Sequence, residues 1–300
     1  MGKPEFINRI TEHAVRFLKD EPMSKHTTFK IGGNADIFLL PENEEQLCFC
    51  IKTAKEEHVP YFVLGNGSDL LVSDNGIEGA VISLVNLKGI DIAGTAVTVK
   101  AGENLASLCM SLKNAGLTGL EFAYGIPASV GGAVYMNAGA YGGEIKDCIV
   151  SAKYLDQDGE IKEIGKEDMC LSYRNSVFKK NRGIILSAVF ELKEDCPEKI
   201  LERMNEYMAR RKEKQPLEFP SAGSTFKRPE NNFAGTLIEK SGLKGEKVGG
   251  AEVSRKHAGF IINTGGATSK DVRLLIKKIQ SKVFADSGVN LEPEIIYVGR

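Results

Sequence analysis

The chain has 300 residues, with 39 Lys+Arg against 40 Asp+Glu and a net charge of −1. Hydrophobic residues make up 42% and charged residues 26%, the balance of a folded protein of two or three domains and not of a disordered chain. The neutral balance gives no basic surface for nucleic acid or membrane, and no apolar run reaches the ~20 residues of a spanning helix.

Residues 1–25 mix both charges without a basic-then-apolar leader, so a cytoplasmic protein is expected. Asn43 caps a predicted helix over 43–57, with Leu47, Ile51 and Ala54 on one face. Val59-Pro60 ends it, and the strand Tyr61–Leu64 runs straight into Gly65-Asn66-Gly67-Ser68-Asp69. Strands follow at Leu70–Val72, 80–84 and Ala96–Lys100. Asn104 then caps a helix carrying Leu105, Leu108, Leu112 and Ala115. This alternation predicts an α+β or α/β layer arrangement.

Glycine is the compositional outlier, at 32 residues. Eight of them fall in the 28 residues 116–143, among small residues such as Ala123, Ala128, Ser129 and Ala138. Two readings stand: tight turns with close packing, or a cradle of backbone N–H groups around phosphates. Composition does not choose between them.

Further on, 150–164 reads as a hairpin turning at Asp158-Gly159, and 184–192 as a strand. Pro197–Lys214 reads as an amphipathic helix with Leu201, Met204 and Met208 inward. Its charge run 210–214 reads as a solvated end and linker, with a domain boundary near 197–216. A strand is predicted at 258–263, then a helix capped by Ser269, carrying Val272, Ile276, Ile279 and Val283 and stopped by Gly288. A strand at 295–298 follows. The six cysteines (Cys48, Cys50, Cys109, Cys148, Cys170, Cys196) form no C-x-x-C and read as reduced core thiols. The histidines make no ligand pair, so no metal is expected.

The Gly65-Asn66-Gly67-Ser68 turn is not a Rossmann fingerprint, because Leu70 stands where the third glycine belongs and a strand follows. Consecutive amides there, with the Ser68 hydroxyl, suit a pyrophosphate nest. Three polar clusters stand apart: Tyr173-Arg174-Asn175-Ser176, the serine of Gly223-Ser224-Thr225, and Leu291-Glu292-Pro293-Glu294. Singly they read as a surface ion pair, a turn serine and a strand-edge charge. Together they supply a cation, a hydroxyl proton donor and a carboxylate, a set suited to stabilising charge on a carboxylate-bearing substrate and protonating a carbanion.

At these residues the chain resembles the UDP-N-acetylenolpyruvoylglucosamine reductases, flavoenzymes of peptidoglycan precursor synthesis. The matching segments are His26-Thr27-Thr28-Phe29-Lys30-Ile31-Gly32-Gly33, 64–71, Gly125-Ile126-Pro127-Ala128-Ser129-Val130-Gly131-Gly132, Asn137-Ala138-Gly139-Ala140-Tyr141-Gly142, Tyr173-Arg174-Asn175-Ser176, 222–227 and 291–294. Their order is the family's and they span almost the whole chain. The resemblance implies an α+β chain: an FAD-binding module of the vanillyl-alcohol-oxidase (PCMH) type in two subdomains, plus a C-terminal α/β substrate-binding domain. The subdomains would cover 1–80 (with strand 291–300) and 81–196, and the substrate domain 197–290 with its leading helix.

The same resemblance implies non-covalent FAD and NADPH as reductant. FAD would be held by Leu64, Gly65, Asn66, Gly67, Ser68, Asp69 and Leu70 of the first loop. The second segment would add Gly125, Ile126, Pro127, Ser129, Gly131 and Gly132, then Asn137, Gly139 and Gly142. NADPH would reduce the flavin and leave, and UDP-N-acetylglucosamine enolpyruvate would then receive hydride at its methylene carbon. Ser224 is implied as proton donor, and Arg174 and Glu294 as the pair that polarises the enolpyruvyl group. Tyr173, Lys227, Arg228, Lys244 and His257 are implied in substrate binding. Arg228 replaces a common asparagine and His257 a glutamine of some relatives, and the shorter subclass without the tyrosine loop is expected. Alternatives are another flavin oxidase or dehydrogenase of the same fold, or a silent flavin- or nucleotide-sugar-binding protein. A monomer acting on small molecules, with no nucleic-acid or membrane partner, is the expected state.

Overall fold

Side-chain caps set several of the helix starts. After α1 (Gly2–Glu12), which buries Phe6 and Ile10, Asn43 Oδ1 accepts the Gln46 N–H at 2.9 Å and opens α2 (Glu44–Glu56). Leu47, Cys50, Ile51 and Ala54 form its buried face. Asn104 Oδ1 accepts from Ala106 N at 2.8 Å and opens α3 (Leu105–Asn114). Ala115, expected on the buried face, is instead the exposed C-cap. A short helix lies inside the glycine-rich segment, α4 (Val130–Tyr135), capped by Ser129. It is followed by α5 (Val177–Asn181) and α6 (Pro197–Lys214). Ile200 and Met204 are the buried residues of α6, while Leu201 and Met208 are only half-buried.

The computed structural model describes residues 2–300, in two units each discontinuous in sequence. The first comprises the chain through Leu18, Phe38–Asn66 and Gly79–Arg211; the second comprises Lys19–Ile37, Gly67–Glu78 and Lys212–Arg300. The last boundary between them follows Arg211.

The first unit is organised on a five-stranded antiparallel sheet. Its order is Ile161–Gly165, Ile149–Leu155, Ile184–Glu191, Ala96–Lys100, Ile90–Ala93. The hairpin turns where expected: Asp156 Oδ1 accepts from Asp158 N (2.8 Å) and Glu160 N (2.9 Å), and Gly159 takes φ +86°. Helix α4 packs on the central strand Ile184–Glu191, which is why small residues crowd it. Separately, Tyr61–Leu64 pairs in parallel with 80–83, from Tyr61 opposite Ala80 to Leu64 opposite Ser83.

The second unit holds α7 (Ala234–Lys240), α8 (Ser269–Ser287) and a small antiparallel sheet of Lys247–Val248, Ala251–Val253 and Ile261–Asn263. Its core gathers Phe29, Leu71, Phe226, Ile238, Val253 and Ile279. Each fully buried side chain of this size contributes roughly 1.5–3 kcal/mol. Thr268, one residue before the expected Ser269, is the N-cap of α8 and forms a capping box with Asp271. Gly288 ends the helix at φ +70°. Strand Ile296–Val298 pairs in parallel with Leu70–Val72.

The cysteines divide. All six thiols are free, and Cys50, Cys109 and Cys148 are buried, but Cys170 and Cys196 are exposed and so are not core residues.

Candidate active site

The loop 65–69 follows strand Tyr61–Leu64. Thr28 grips its carbonyls: Thr28 N donates to Gly67 O (3.2 Å), and its hydroxyl lies 2.7 Å from Ser221 O and 3.3 Å from Ser68 O. The amides of Asn66, Gly67 and Ser68 have no acceptor among the described residues. Gly67 has φ +59°, and a Cβ there would lie 2.3 Å from His26 O. A left-handed glycine between open amides makes an anion nest, and this donor set fits the diphosphate of FAD. Leu64 and Leu70 are buried on either side.

The segment 125–142 uses its backbone differently. Val130 N donates to Glu103 O (2.8 Å), Gly131 N to Ala101 O (2.9 Å) and Gly132 N to Ser129 Oγ (3.3 Å). A Cβ on Gly131 would lie 2.9 Å from Ala101 Cβ. Close packing against the protein thus accounts for this glycine. Asn66 Nδ2 reaches Pro127 O at 3.4 Å, which ties the two segments together. Gly142, at φ +89°, has open space where a Cβ would be.

Asn137 is 1% exposed, and all of its side-chain polar atoms are engaged. Nδ2 donates to Glu144 Oε2 (2.8 Å) and Ser172 O (3.1 Å), and Oδ1 accepts from Lys146 N (2.9 Å). Ser172 begins a reverse turn, with Asn175 N donating to Ser172 O at 3.0 Å. Tyr173 and Arg174 form its tip. Arg174 has φ +53°, and its guanidinium lies 5.3 Å from the Tyr173 ring centroid. Glu144 is held below the ordinary carboxylate range, first by its hydrogen bond with Lys146, then by Asn137; the Arg174 charge acts in the same direction.

In the second unit, exposed Ser224 precedes Thr225, which is 2% exposed. Thr225 N donates to Gly259 O (2.8 Å), its Oγ1 accepts from Ile261 N (3.0 Å), and its carbonyl accepts from Glu294 N (2.8 Å). Lys227 N donates to Glu292 O at 2.9 Å, and their side chains form an ion pair. The segments carrying Ser224 and Glu294 therefore run side by side. Arg228 stacks 4.9 Å from the Phe233 ring centroid, and Lys244 pairs with Glu239 at 2.6 Å. His257 Nδ1 accepts from Gly259 N at 3.1 Å, which leaves the neutral ring's proton on Nε2. Burial pushes the His257 pKa down.

The sequence reading missed Thr28 as the anchor of the loop, and it missed Arg211. Within the run 210–214, Arg211 is half-buried, with its Cδ 3.1 Å from where a Gly125 Cβ would stand. It has no hydrogen bond or ion pair among the described residues, and burial lowers its pKa. Beside it the Tyr141 and Tyr207 rings stack with centroids 4.9 Å apart. The expected solvated helix end is therefore corrected at this residue.

Residues 35–165 match an FAD binding domain family, and residues 215–298 match the C-terminal domain of UDP-N-acetylenolpyruvoylglucosamine reductase. The reductase of that name from Caldicellulosiruptor bescii is 50% identical over 297 residues, covering 98% of this chain and 95% of the relative. The crystal structure of the Thermus caldophilus reductase has a TM-score of 0.81 at 37% identity, over 95% of this chain and 98% of that one. Glucooligosaccharide oxidase from Acremonium strictum, at 13% identity and a TM-score of 0.50 over 96% of this chain and 60% of that one, shares the fold alone. The chain has an FAD binding domain joined to a reductase C-terminal domain, and it belongs to the UDP-N-acetylenolpyruvoylglucosamine reductase family.

Proposed function

We propose that the chain reduces UDP-N-acetylglucosamine enolpyruvate to UDP-N-acetylmuramate with NADPH, and that Ser224, Arg174 and Glu294 are its catalytic residues. The observation that carries the assignment is the Glu294 N to Thr225 O bond, which fixes the serine and the carboxylate on adjoining backbone segments in a member of this family. Bound FAD supplies the two-electron carrier between NADPH and the enolpyruvyl group. The 65–69 loop holds its diphosphate through the amides of Asn66, Gly67 and Ser68; Gly125, Ile126, Pro127, Gly139 and Gly142 contribute surface.

The reduction adds a hydride equivalent at the methylene carbon and a proton at the adjacent carbon. Negative charge accumulates on the substrate carboxylate as the hydride arrives, so Arg174 gains interaction energy in the transition state. Ser224 Oγ then gives its proton to the carbon bearing the carboxylate. A hydroxyl is a weak acid, but the carboxylate-stabilised enolate or carbanion left by hydride addition is a strong enough base to take the proton downhill. Glu294 polarises the enolpyruvyl group together with Arg174. Tyr173, Lys227, Arg228, Lys244 and His257 bind the UDP-sugar.

The reading extends to a cytoplasmic monomer, and the net charge of −1 supports its engaging neither nucleic acid nor membrane. The domain division at 80/81 and 196/197 belongs to the same reading. Stopped-flow mixing tests it. NADPH should bleach the flavin of Ser224→Ala at the wild-type rate, and the UDP-sugar should restore the colour orders of magnitude more slowly. Equal recolouring rates would remove Ser224 as the acid.

A further inference from the structure

We propose that Asn137 is a positioning residue for Arg174: its buried amide holds the base of the reverse turn that aims the guanidinium. The inference rests on the reading of Arg174 as the cation that meets the substrate carboxylate.

Arg174 sits in the left-handed region at φ +53°, which a side chain with a Cβ adopts only under strain. Such a turn persists only where its surroundings hold it. Three contacts do so. Asn137 Nδ2 donates to Ser172 O, the same carbonyl that accepts the turn bond from Asn175 N. Lys179 Nζ donates to Arg174 O at 2.7 Å. Ser176 Oγ donates to Tyr135 O at 2.7 Å, tying the end of the turn to α4.

Asn137 joins the turn to a carboxylate. Its Nδ2 also donates to Glu144 Oε2, whose carboxylate lies within electrostatic reach of Arg174. The amide orientation is forced, because a flip would set its oxygen against the Glu144 carboxylate and the Ser172 carbonyl. With every polar atom engaged, the side chain has no donor left for FAD, which separates this role from the cofactor contact expected from the sequence. An asparagine suits the position for a second reason: its own φ is +42°, a conformation that asparagine tolerates better than most residues.

The experiment uses purified flavoprotein and two variants. Asn137→Gly keeps the left-handed backbone and removes all three side-chain bonds. Asn137→Asp keeps the shape and the bond from Lys146 N but donates nothing to Ser172 O. Flavin content, thermal midpoint, bleaching by NADPH and recolouring by the UDP-sugar are each measured, alone and in an Arg174→Ala background. Both variants should retain flavin and bleach within about two-fold of wild type. Recolouring should slow by on the order of 100-fold, the cost of misplacing a catalytic group by about 1 Å. In the Arg174→Ala background the same substitutions should slow recolouring no further, whereas their effects on thermal midpoint should add.

Loss of flavin in both variants would overturn the inference in favour of a cofactor contact. So would wild-type recolouring, or losses that multiply with Arg174→Ala. If Arg174→Ala itself recolours normally, the reading of Arg174 fails and the inference with it. If Arg174→Ala is damaged and the Asn137 variants are not, only the inference fails.

Discussion

The backbone N–H of Glu294 donates to the carbonyl of Thr225 at 2.8 Å, so two residues 69 apart in sequence set the spacing of a hydroxyl-bearing and a carboxylate-bearing segment. Thr225 is the structural member of this group. Its hydroxyl takes the Ile261 N–H inside a buried site. Thr225→Val keeps the side-chain shape and leaves that amide without an acceptor, at a cost of about 1–3 kcal/mol. Urea unfolding should report this loss, and UDP-sugar recolouring should fall more than NADPH bleaching. A change in unfolding free energy of only a few tenths would show that the hydroxyl anchors nothing.

His257 gives stability a defined pH dependence. Burial lowers its pKa below the ordinary 6.5, so the unfolded chain binds a proton that the folded one refuses. This contribution is therefore complete above about 6.5 and is lost as pH falls from there through the folded value. Between about pH 7 and pH 5, thermal midpoints of wild type should drop more steeply than those of His257→Gln, whose amide oxygen still accepts from Gly259 N. Parallel curves would mean that the ring titrates alike in both states.

Arg211 has a desolvated guanidinium with no ionic partner among the described residues. Removing an uncompensated charge should stabilise the protein. In flavin-stripped protein, Arg211→Met is expected to gain on the order of 1 kcal/mol, about 2 °C in thermal midpoint. A fall of the same size would mean that the guanidinium earns its place in the nucleotide-free fold.

Thiol reactivity should follow burial. Cys50, Cys109 and Cys148 are each pushed up to about 12 by burial, so their reactive thiolates are scarce at neutral pH. Cys170 and Cys196 are exposed. Alkylation of native protein followed by peptide mass analysis should label these two first, with the buried three reacting only on unfolding. Early labelling at Cys109 would show local opening around α3.

Local chemistry was the readable part of the chain. Asn43 and Asn104 open helices because their side chains bond an amide two or three residues on, a relationship contained in the sequence itself. Thr268 and Ser269 are both competent caps, and only the capping box with Asp271 separates them. Helix α4 was hidden because Gly131 and Gly132 are poor helix formers; its packing on strand Ile184–Glu191 outweighs that propensity. The candidate catalytic residues were legible through the family's ordered motifs. The long-range contacts around them were not, because the partners are remote: Asn137 reaches Ser172 across 35 residues, and Thr28 reaches Ser221 across 193. Arg211 was read as solvated because a run of charges says nothing about which one faces inward.

The parallel pairing of Leu70–Val72 with Ile296–Val298 has a consequence for biosynthesis. Ile296 N bonds Asp69 O at 2.8 Å, so the seat of the 65–69 loop is completed by residues made 226 positions after Leu70. A nascent chain on the ribosome carries that loop, unsupported on this side, through most of its translation. Acquisition of the cofactor should therefore be a late event in maturation, after closure of this long-range pair.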